Sequence, residues 1–181
     1  MPAYFARISS ETETVGRLAL QFLILTAARS GEVRALELLQ VDEPKRLWTR
    51  PASVMKGKRA KEHTITLNDA AMAVLQRAKG HMPASAKYVF SGSRLGVVSD
   101  MTISNVMAGT PYVPHGFRSS FRDWAAEKMP HIPDPVAEAA LAHVVSDKVV
   151  KAYKRTVFLD MRRELLDAWG GYCESNAADG L

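Results

Sequence analysis

The stretch LALQFLILTAARSGE, residues 18–32, decides the fold of this chain. Within residues 11–28 apolar side chains repeat at helical spacing, which predicts a largely buried helix. Ser30-Gly31 interrupts that pattern, and EVRALELL after it predicts a second helix. Arg29 is therefore expected at a corner between two helices, where a side chain can point out of the packed layer.

The rest of the sequence predicts more helices and a few short strands. Strands are expected at residues 46–50, 53–55 and 64–67, with Lys56-Gly57-Lys58 in a turn. Asn68 is expected to cap the helix DAAMAVLQRAK, and HGFRSSFRDWAAEKM predicts a firm amphipathic helix. Three further helical segments follow: PVAEAALAH, SDKVVKAYKR and LDMRRELLDAWGGY. Residues 1–181 are thus predicted to form one domain, mainly α with a small antiparallel β-sheet.

Composition narrows the class of protein. The chain is 47% hydrophobic and 24% charged, which is typical of a globular protein in water. Its formal charge of +5 favours a polyanionic partner. Cys173 is the single cysteine, so no intramolecular disulfide can form, and we expect it to be a small, partly buried hydrophobe and not a reactive thiol. Without a bilayer-length apolar run or a signal sequence, the chain is predicted to be cytoplasmic, with no membrane partner.

A set of polar residues in a fixed order carries the functional signal. Two arginines can clamp a phosphate, two histidines and a lysine can donate or shuttle protons, and a tyrosine offers a phenolic oxygen that can attack phosphorus. This combination suits metal-free phosphoryl transfer through a phosphotyrosine. The candidate residues are Arg29, Lys56, His115, Arg118, His143 and Tyr153.

These residues and their contexts resemble the catalytic domain of tyrosine recombinases of the phage and genomic-island integrase kind. HGFR at residues 115–118 matches the HxxR box of that family, and TAARSGE resembles its first-arginine box. The resemblance implies that Arg29 and Arg118 bind the scissile phosphate and that Glu32 orients an arginine or its loop. It also implies that His143 donates a hydrogen bond to a non-bridging phosphate oxygen and that Tyr153 is the nucleophile.

The family's lysine, which protonates the departing 5′ oxygen, has two candidates here. The pattern SVMK resembles the strand that precedes it and favours Lys56. The stretch MKGKRAKEH is longer than the commonest family pattern, so Lys58 remains an alternative.

The resemblance implies site-specific DNA recombination, the integration or excision of a mobile element, with double-stranded DNA attachment sites as partner. It implies no metal and no cofactor, and the sequence has no HExxH, CxxC or GxxxxGK[ST] motif. The family's N-terminal DNA-binding domains are absent, so we expect a fragment or a truncated gene product; the full-length protein is expected to form a synaptic tetramer on DNA. Alternatives are a type IB topoisomerase, a non-catalytic DNA-binding module and a helical protein-interaction domain.

Overall fold

The computed structural model describes residues 1–54, 62–92, 95–143 and 158–175. Short 3-10 helices at Leu38–Gln40, Ala52–Val54 and Asn105–Met107 supplement the main elements. The strands are β1 (Val41–Asp42), β2 (Leu47–Arg50) and β3 (His63–Thr66). The α-helices are α1 (Pro2–Ser10), α2 (Val15–Thr26), α3 (Ser30–Arg34), α4 (Asp69–His81), α5 (Asp100–Ser104), α6 (Gly116–Lys128), α7 (Asp134–Ala140) and α8 (Leu159–Glu174).

The helix α2 forms the centre of the core. From Leu18 to Thr26 no residue is more than 2% exposed, because α4, α5 and α8 pack around this helix. The indole Nε1 of Trp169 on α8 donates to the carbonyl oxygen of Ile24 at 2.7 Å. The buried helix predicted from the apolar repeat is thus confirmed.

Asn68 joins three helices at one point. Its side-chain oxygen accepts the Ala71 N–H at 2.8 Å and so caps α4, as the sequence predicts. Its amide nitrogen donates to the Leu25 carbonyl at 3.0 Å and to the Leu166 carbonyl at 2.8 Å. A single buried side chain therefore fixes α4 against α2 and α8.

The sheet is small and antiparallel, with the strand order β1-β2-β3. Trp48 lies opposite Ile65 in its register, and Arg50 lies opposite His63. The sheet packs on the first half of α8, where Arg162 Nη1 donates to the Thr64 carbonyl at 2.9 Å. The predicted fold class, mainly α with a small antiparallel sheet, is confirmed.

The predicted strand at residues 53–55 is wrong over the residues that the structure describes. Ala52–Val54 is a 3-10 helix, closed by the Val54 N–H donating to the Pro51 carbonyl at 3.1 Å. Pro51 has no N–H and cannot extend the ladder, so β2 ends at Arg50. Met55 lies outside the described residues.

The second helix predicted at EVRALELL is present but shorter than that stretch. α3 ends at Arg34, and the chain continues into a 3-10 helix at Leu38–Gln40. The carbonyl of Leu36, which a continued helix would need, accepts the Val89 N–H at 2.9 Å instead. Tertiary pairing with a distant segment therefore overrides the local helical pattern.

His63 lies in the sheet. It begins β3 and is half-buried, and burial lowers its pKa to about 4. His81 and His131, by contrast, are exposed, and each pairs with a carboxylate: His81 with Glu13, and His131 with Glu164. Cys173 is buried, which fits the predicted small hydrophobe, and burial raises the pKa of its thiol.

Candidate active site

Arg29 lies at the corner between α2 and α3. After α2 ends at Thr26, Ala27 adopts a left-handed conformation with φ of 50°, which turns the chain away from the helix axis. Arg29 has an extended backbone and directly precedes α3. Its side chain is 42% exposed, so the guanidinium reaches the surface at the corner that the sequence predicts.

Glu32 holds Arg29 with both carboxylate oxygens. Oε2 accepts the Arg29 main-chain N–H at 3.0 Å, and Oε1 accepts the Arg29 Nη1 at 3.1 Å. Burial raises the pKa of the Glu32 carboxyl, but the Arg29 N–H and the charges of Arg50 and Arg29 outweigh burial and leave that pKa below its ordinary value. Glu32 is therefore ionised at neutral pH, and it orients Arg29.

Arg50 supports Glu32 from the sheet. Its Nη1 donates to Glu32 Oε1 at 2.7 Å, and both residues are buried. The sequence analysis missed Arg50. A signal was present, because β2 alternates half-buried and buried positions and Arg50 occupies a buried one, where an unpaired charge would be costly.

Arg118 projects from the first turn of α6 into the interior and is 4% exposed. Nη1 donates to the Ala27 carbonyl at 2.5 Å, and Nη2 donates to the Leu141 carbonyl at 2.7 Å. Burial and the charge of Arg29 lower the Arg118 pKa to about 10, which leaves the guanidinium protonated at neutral pH. These contacts place the second arginine beside the corner that carries Arg29.

His143 follows α7, just after Ala142, which has a φ of 52°. Its Nε2 lies 3.2 Å from Arg118 Nη2, and its Nδ1 lies 2.7 Å from Glu138 Oε2. The side chain is 41% exposed, so part of the ring faces solvent. The structure therefore brings three of the sequence-predicted residues together: Arg29, Arg118 and His143.

Of the other candidates, the structure describes His115. His115 directly precedes α6, where its side chain is exposed and does not cap the helix. Lys56, its alternative Lys58, and Tyr153 lie outside the described residues.

Glu138 and Arg122 are further residues that the sequence analysis missed. Arg122 Nε donates to Glu138 Oε1 at 2.6 Å, and Arg122 Nη2 donates to Asp134 at 2.8 Å. Spacing offered a signal: Arg118 and Arg122 are one turn apart on α6, and Asp134 and Glu138 are one turn apart on α7. The spacing could not predict that the two helices lie next to each other.

A cavity of about 630 Å³ opens beside the corner. Three arginines and one glutamate contribute to its wall, which gives it an excess of positive charge suited to an anion. The lining of this cavity includes Arg29, Glu32, Arg34, Arg50, Val54 and Ala142.

A second cavity, of about 490 Å³, is bordered by aromatic residues that include Tyr112, Trp124 and Tyr172.

Neither a metal-binding group of side chains nor a membrane-spanning helix occurs in the part of the chain that the structure describes. No three His, Cys, Asp or Glu side chains there are grouped so that they could hold a metal ion. No helix there is long and apolar enough to cross a membrane.

Comparison with known proteins places the chain among integrases. The model of the phage integrase family matches residues 4–158. Prophage integrase IntA of Escherichia coli K12 is 31% identical over 160 residues, which cover 84% of this chain and 37% of that protein. The integrase of Shigella phage Sf6 is 28% identical over 177 residues, which cover 88% of this chain and 42% of that protein. The chain thus spans roughly two fifths of the length of these curated relatives.

The solved structures agree on the fold. The lambda integrase catalytic core matches with a TM-score of 0.57 at 18% identity, over 81% of this chain and 90% of that one. A lambda integrase dimer bound to a COC′ core site matches with the same TM-score and identity, over 58% of that chain. Since a model of the family covers most of this sequence and the fold is that of the lambda integrase catalytic core, the chain belongs to the phage integrase family.

Proposed function

We propose that this chain is the catalytic domain of a tyrosine recombinase, which cuts and rejoins double-stranded DNA at the attachment sites of a mobile element. The observation that carries the proposal is the convergence of Arg29, Arg118 and His143 beside a positively lined cavity. Membership of the phage integrase family supports it, as do relatives named as prophage and phage integrases.

The two arginines supply positive charge to the phosphate without a metal ion. As the phosphorus becomes pentavalent, charge grows on its non-bridging oxygens, and preorganised guanidiniums stabilise that charge. An arginine in such a role contributes on the order of 10³-fold in rate. Arg118 is held by two carbonyl oxygens and Arg29 by Glu32, so neither has to be ordered when DNA binds.

Strand cleavage then exchanges one ester for another. The Tyr153 phenolic oxygen attacks phosphorus, a base takes the phenolic proton, and the bond from phosphorus to the 5′ oxygen breaks as Lys56 or Lys58 protonates that oxygen. His115 and His143 donate hydrogen bonds or shuttle protons at the phosphate. The 3′-phosphotyrosyl bond conserves the energy of the broken phosphodiester. A 5′-hydroxyl later attacks this bond, which rejoins the strand and returns the proton to Tyr153.

The whole protein is expected to carry out recombination as a synaptic tetramer on DNA. This chain spans only part of the length of its relatives.

The test is capture of the covalent intermediate. The chain is incubated with a pool of labelled duplexes of random sequence, each nicked so that the short 5′ fragment diffuses away after cleavage. An SDS-stable protein–DNA band is the expected result. Retardation in a native gel without such a band would instead indicate a non-catalytic DNA-binding module. Relaxation of any supercoiled plasmid, regardless of its sequence, would indicate a topoisomerase.

A further inference from the structure

The imidazole of His143 is bonded at both ring nitrogens. Nε2 lies 3.2 Å from Arg118 Nη2, and Nδ1 lies 2.7 Å from Glu138 Oε2. A guanidinium can only donate hydrogen bonds, so Nε2 must be the acceptor in the first contact. The ring proton of neutral His143 is therefore on Nδ1 and is donated to the Glu138 carboxylate.

Glu138 is itself held in place from α6. Its second oxygen, Oε1, accepts from Arg122 Nε at 2.6 Å. Arg122 Nη2 also donates to Asp134 at 2.8 Å, but the Asp134 side chain is 71% exposed. Burial raises the Glu138 pKa, but the hydrogen bonds from Arg122 and His143 outweigh burial and leave that pKa below its ordinary value. Glu138 is thus a carboxylate with each oxygen committed to one donor.

The result is an ordered relay of donors and acceptors. Arg122 donates to Glu138, His143 donates to Glu138, and Arg118 donates to His143. Arg122 orients the Glu138 carboxylate, and that carboxylate in turn holds the ring proton of His143 on Nδ1. In metal sites, a carboxylate that accepts from the second ring nitrogen of a histidine fixes both the tautomer and the orientation of the ring, and the contact here has the same form.

We infer that Glu138, braced by Arg122, is a positioning residue that sets the tautomer and orientation of His143 beside Arg118. The role in the reaction rests on the proposed function. If an anionic phosphate oxygen binds beside Arg118, His143 must turn Nε2 from an acceptor into a donor by taking up a second proton. The carboxylate at Nδ1 stabilises the doubly protonated ring that this contact requires.

Glu138→Gln tests this inference because it keeps the shape and changes one acceptor into a donor. The glutamine side chain keeps one oxygen, which can face only one of the two donors. We expect it to accept from Arg122, because the charged guanidinium is the stronger donor. The amide NH₂ then faces Nδ1 of His143, which must give up its proton and become the Nε2–H tautomer. That tautomer can no longer accept from Arg118.

The readout that needs no activity is the ring ¹⁵N spectrum of histidine-labelled protein at mildly alkaline pH, with the His143 signals assigned by His143→Gln. The wild-type chain should show the Nδ1–H pattern, and Glu138→Gln should show the Nε2–H pattern. Asp134→Asn is the matched control, because it removes a carboxylate from the same helix and the same arginine without touching His143. It should leave the His143 signals unchanged.

Adduct formation on the nicked duplexes is the second readout. Glu138→Gln should slow it by about 10- to 100-fold, the range found when the carboxylate partner of a metal-ligating histidine is changed. Its neutral Nε2–H ring can still donate to the phosphate oxygen, but without the positive charge that the carboxylate stabilises in the wild-type ring. Asp134→Asn should have little effect. An unmoved tautomer in Glu138→Gln would overturn the inference, as would a moved tautomer with an unchanged rate. If the wild-type chain forms no adduct, the proposed function fails, whereas the ¹⁵N spectra still decide whether Glu138 positions His143.

Discussion

Arg50 and Glu32 form an ion pair whose side chains are 7% and 10% exposed, within a cluster that also orients Arg29. Such a pair contributes little net stability compared with apolar residues, but removing one partner takes away most of the compensation that the other buried charge has. At the scale of single residues, the candidate site is therefore built from charges that depend on one another. Stability and site geometry should respond together when one of them is removed.

Replacing Arg50 tests that dependence. Arg50→Met should lower the free energy of unfolding by up to about 3–5 kcal/mol, because it breaks a buried pair and leaves Glu32 with the half-exposed Arg29 as its partner. The matched control is Lys45→Met, which breaks the Lys45–Asp42 pair near the same sheet, where the side chains are 72% and 40% exposed. That change should cost no more than about 1 kcal/mol. Urea denaturation measures both, and equal losses would contradict the buried-pair interpretation.

The general acid can be identified by changing the leaving group. Sulfur in place of the bridging 5′ oxygen makes a much less basic leaving group, which needs no acid. Lys56→Ala should therefore be slow on normal DNA and largely rescued on the 5′-phosphorothiolate. Arg118→Ala should show much less rescue, because its charge acts on the non-bridging oxygens. Rescue of Lys58→Ala, with Lys56→Ala behaving as wild type, would move the assignment to Lys58.

At the scale of elements, sequence reasoning succeeded where a local pattern decides the structure. The aromatic face of α6 and the Asn68 cap of α4 depend on residues close together in the sequence, and both were predicted. It failed where a distant partner decides. The Leu36 carbonyl bonds to Val89, and Glu138 meets Arg122 across two helices, so neither could be read from spacing.

The contact between α8 and Asn68 gives a prediction with a built-in control. A Cβ on Gly170 would lie 2.6 Å from Asn68 Cγ, and Asn68 cannot move without losing its hydrogen bonds to α2, α4 and α8. Gly170→Ala should destabilise the fold by about 1–3 kcal/mol. The next residue, Gly171, has open space around it, so Gly171→Ala should be neutral or stabilise the helix by up to about 1 kcal/mol. Urea midpoints of the two variants decide this, and a loss of stability of the same size in both would contradict it.

At the scale of the whole molecule, one core supports both the sheet and the cluster around Arg29. The formal charge of +5 is spread over a chain with 24 Lys and Arg and 19 Asp and Glu. Many of the carboxylates pair with arginines of the fold, as Asp134 does with Arg122 and Asp167 with Arg46. In the proposed function, we expect the positive charge that remains to contact DNA mainly through its phosphates.

Binding of DNA by this chain should fall steeply with salt. Each neutralised phosphate releases condensed counterions, so log affinity against log salt should slope by about −0.9 per phosphate contacted. Fluorescence anisotropy over a salt series measures the slope, with a duplex of uncharged backbone as the control. A flat salt dependence, or equal affinity for the uncharged analogue, would contradict a phosphate-dominated interface.

The most direct test of phosphoryl transfer through tyrosine is to identify the amino acid that carries the DNA. The covalent adduct formed on nicked duplexes is digested with trypsin and a nuclease, and the nucleotide-bearing peptide is sequenced by mass spectrometry. The expected result is a 3′-phosphate ester on Tyr153, together with loss of the adduct but not of DNA binding in Tyr153→Phe. A nucleotide attached to any other residue, or an undiminished adduct in Tyr153→Phe, would contradict Tyr153 as the nucleophile.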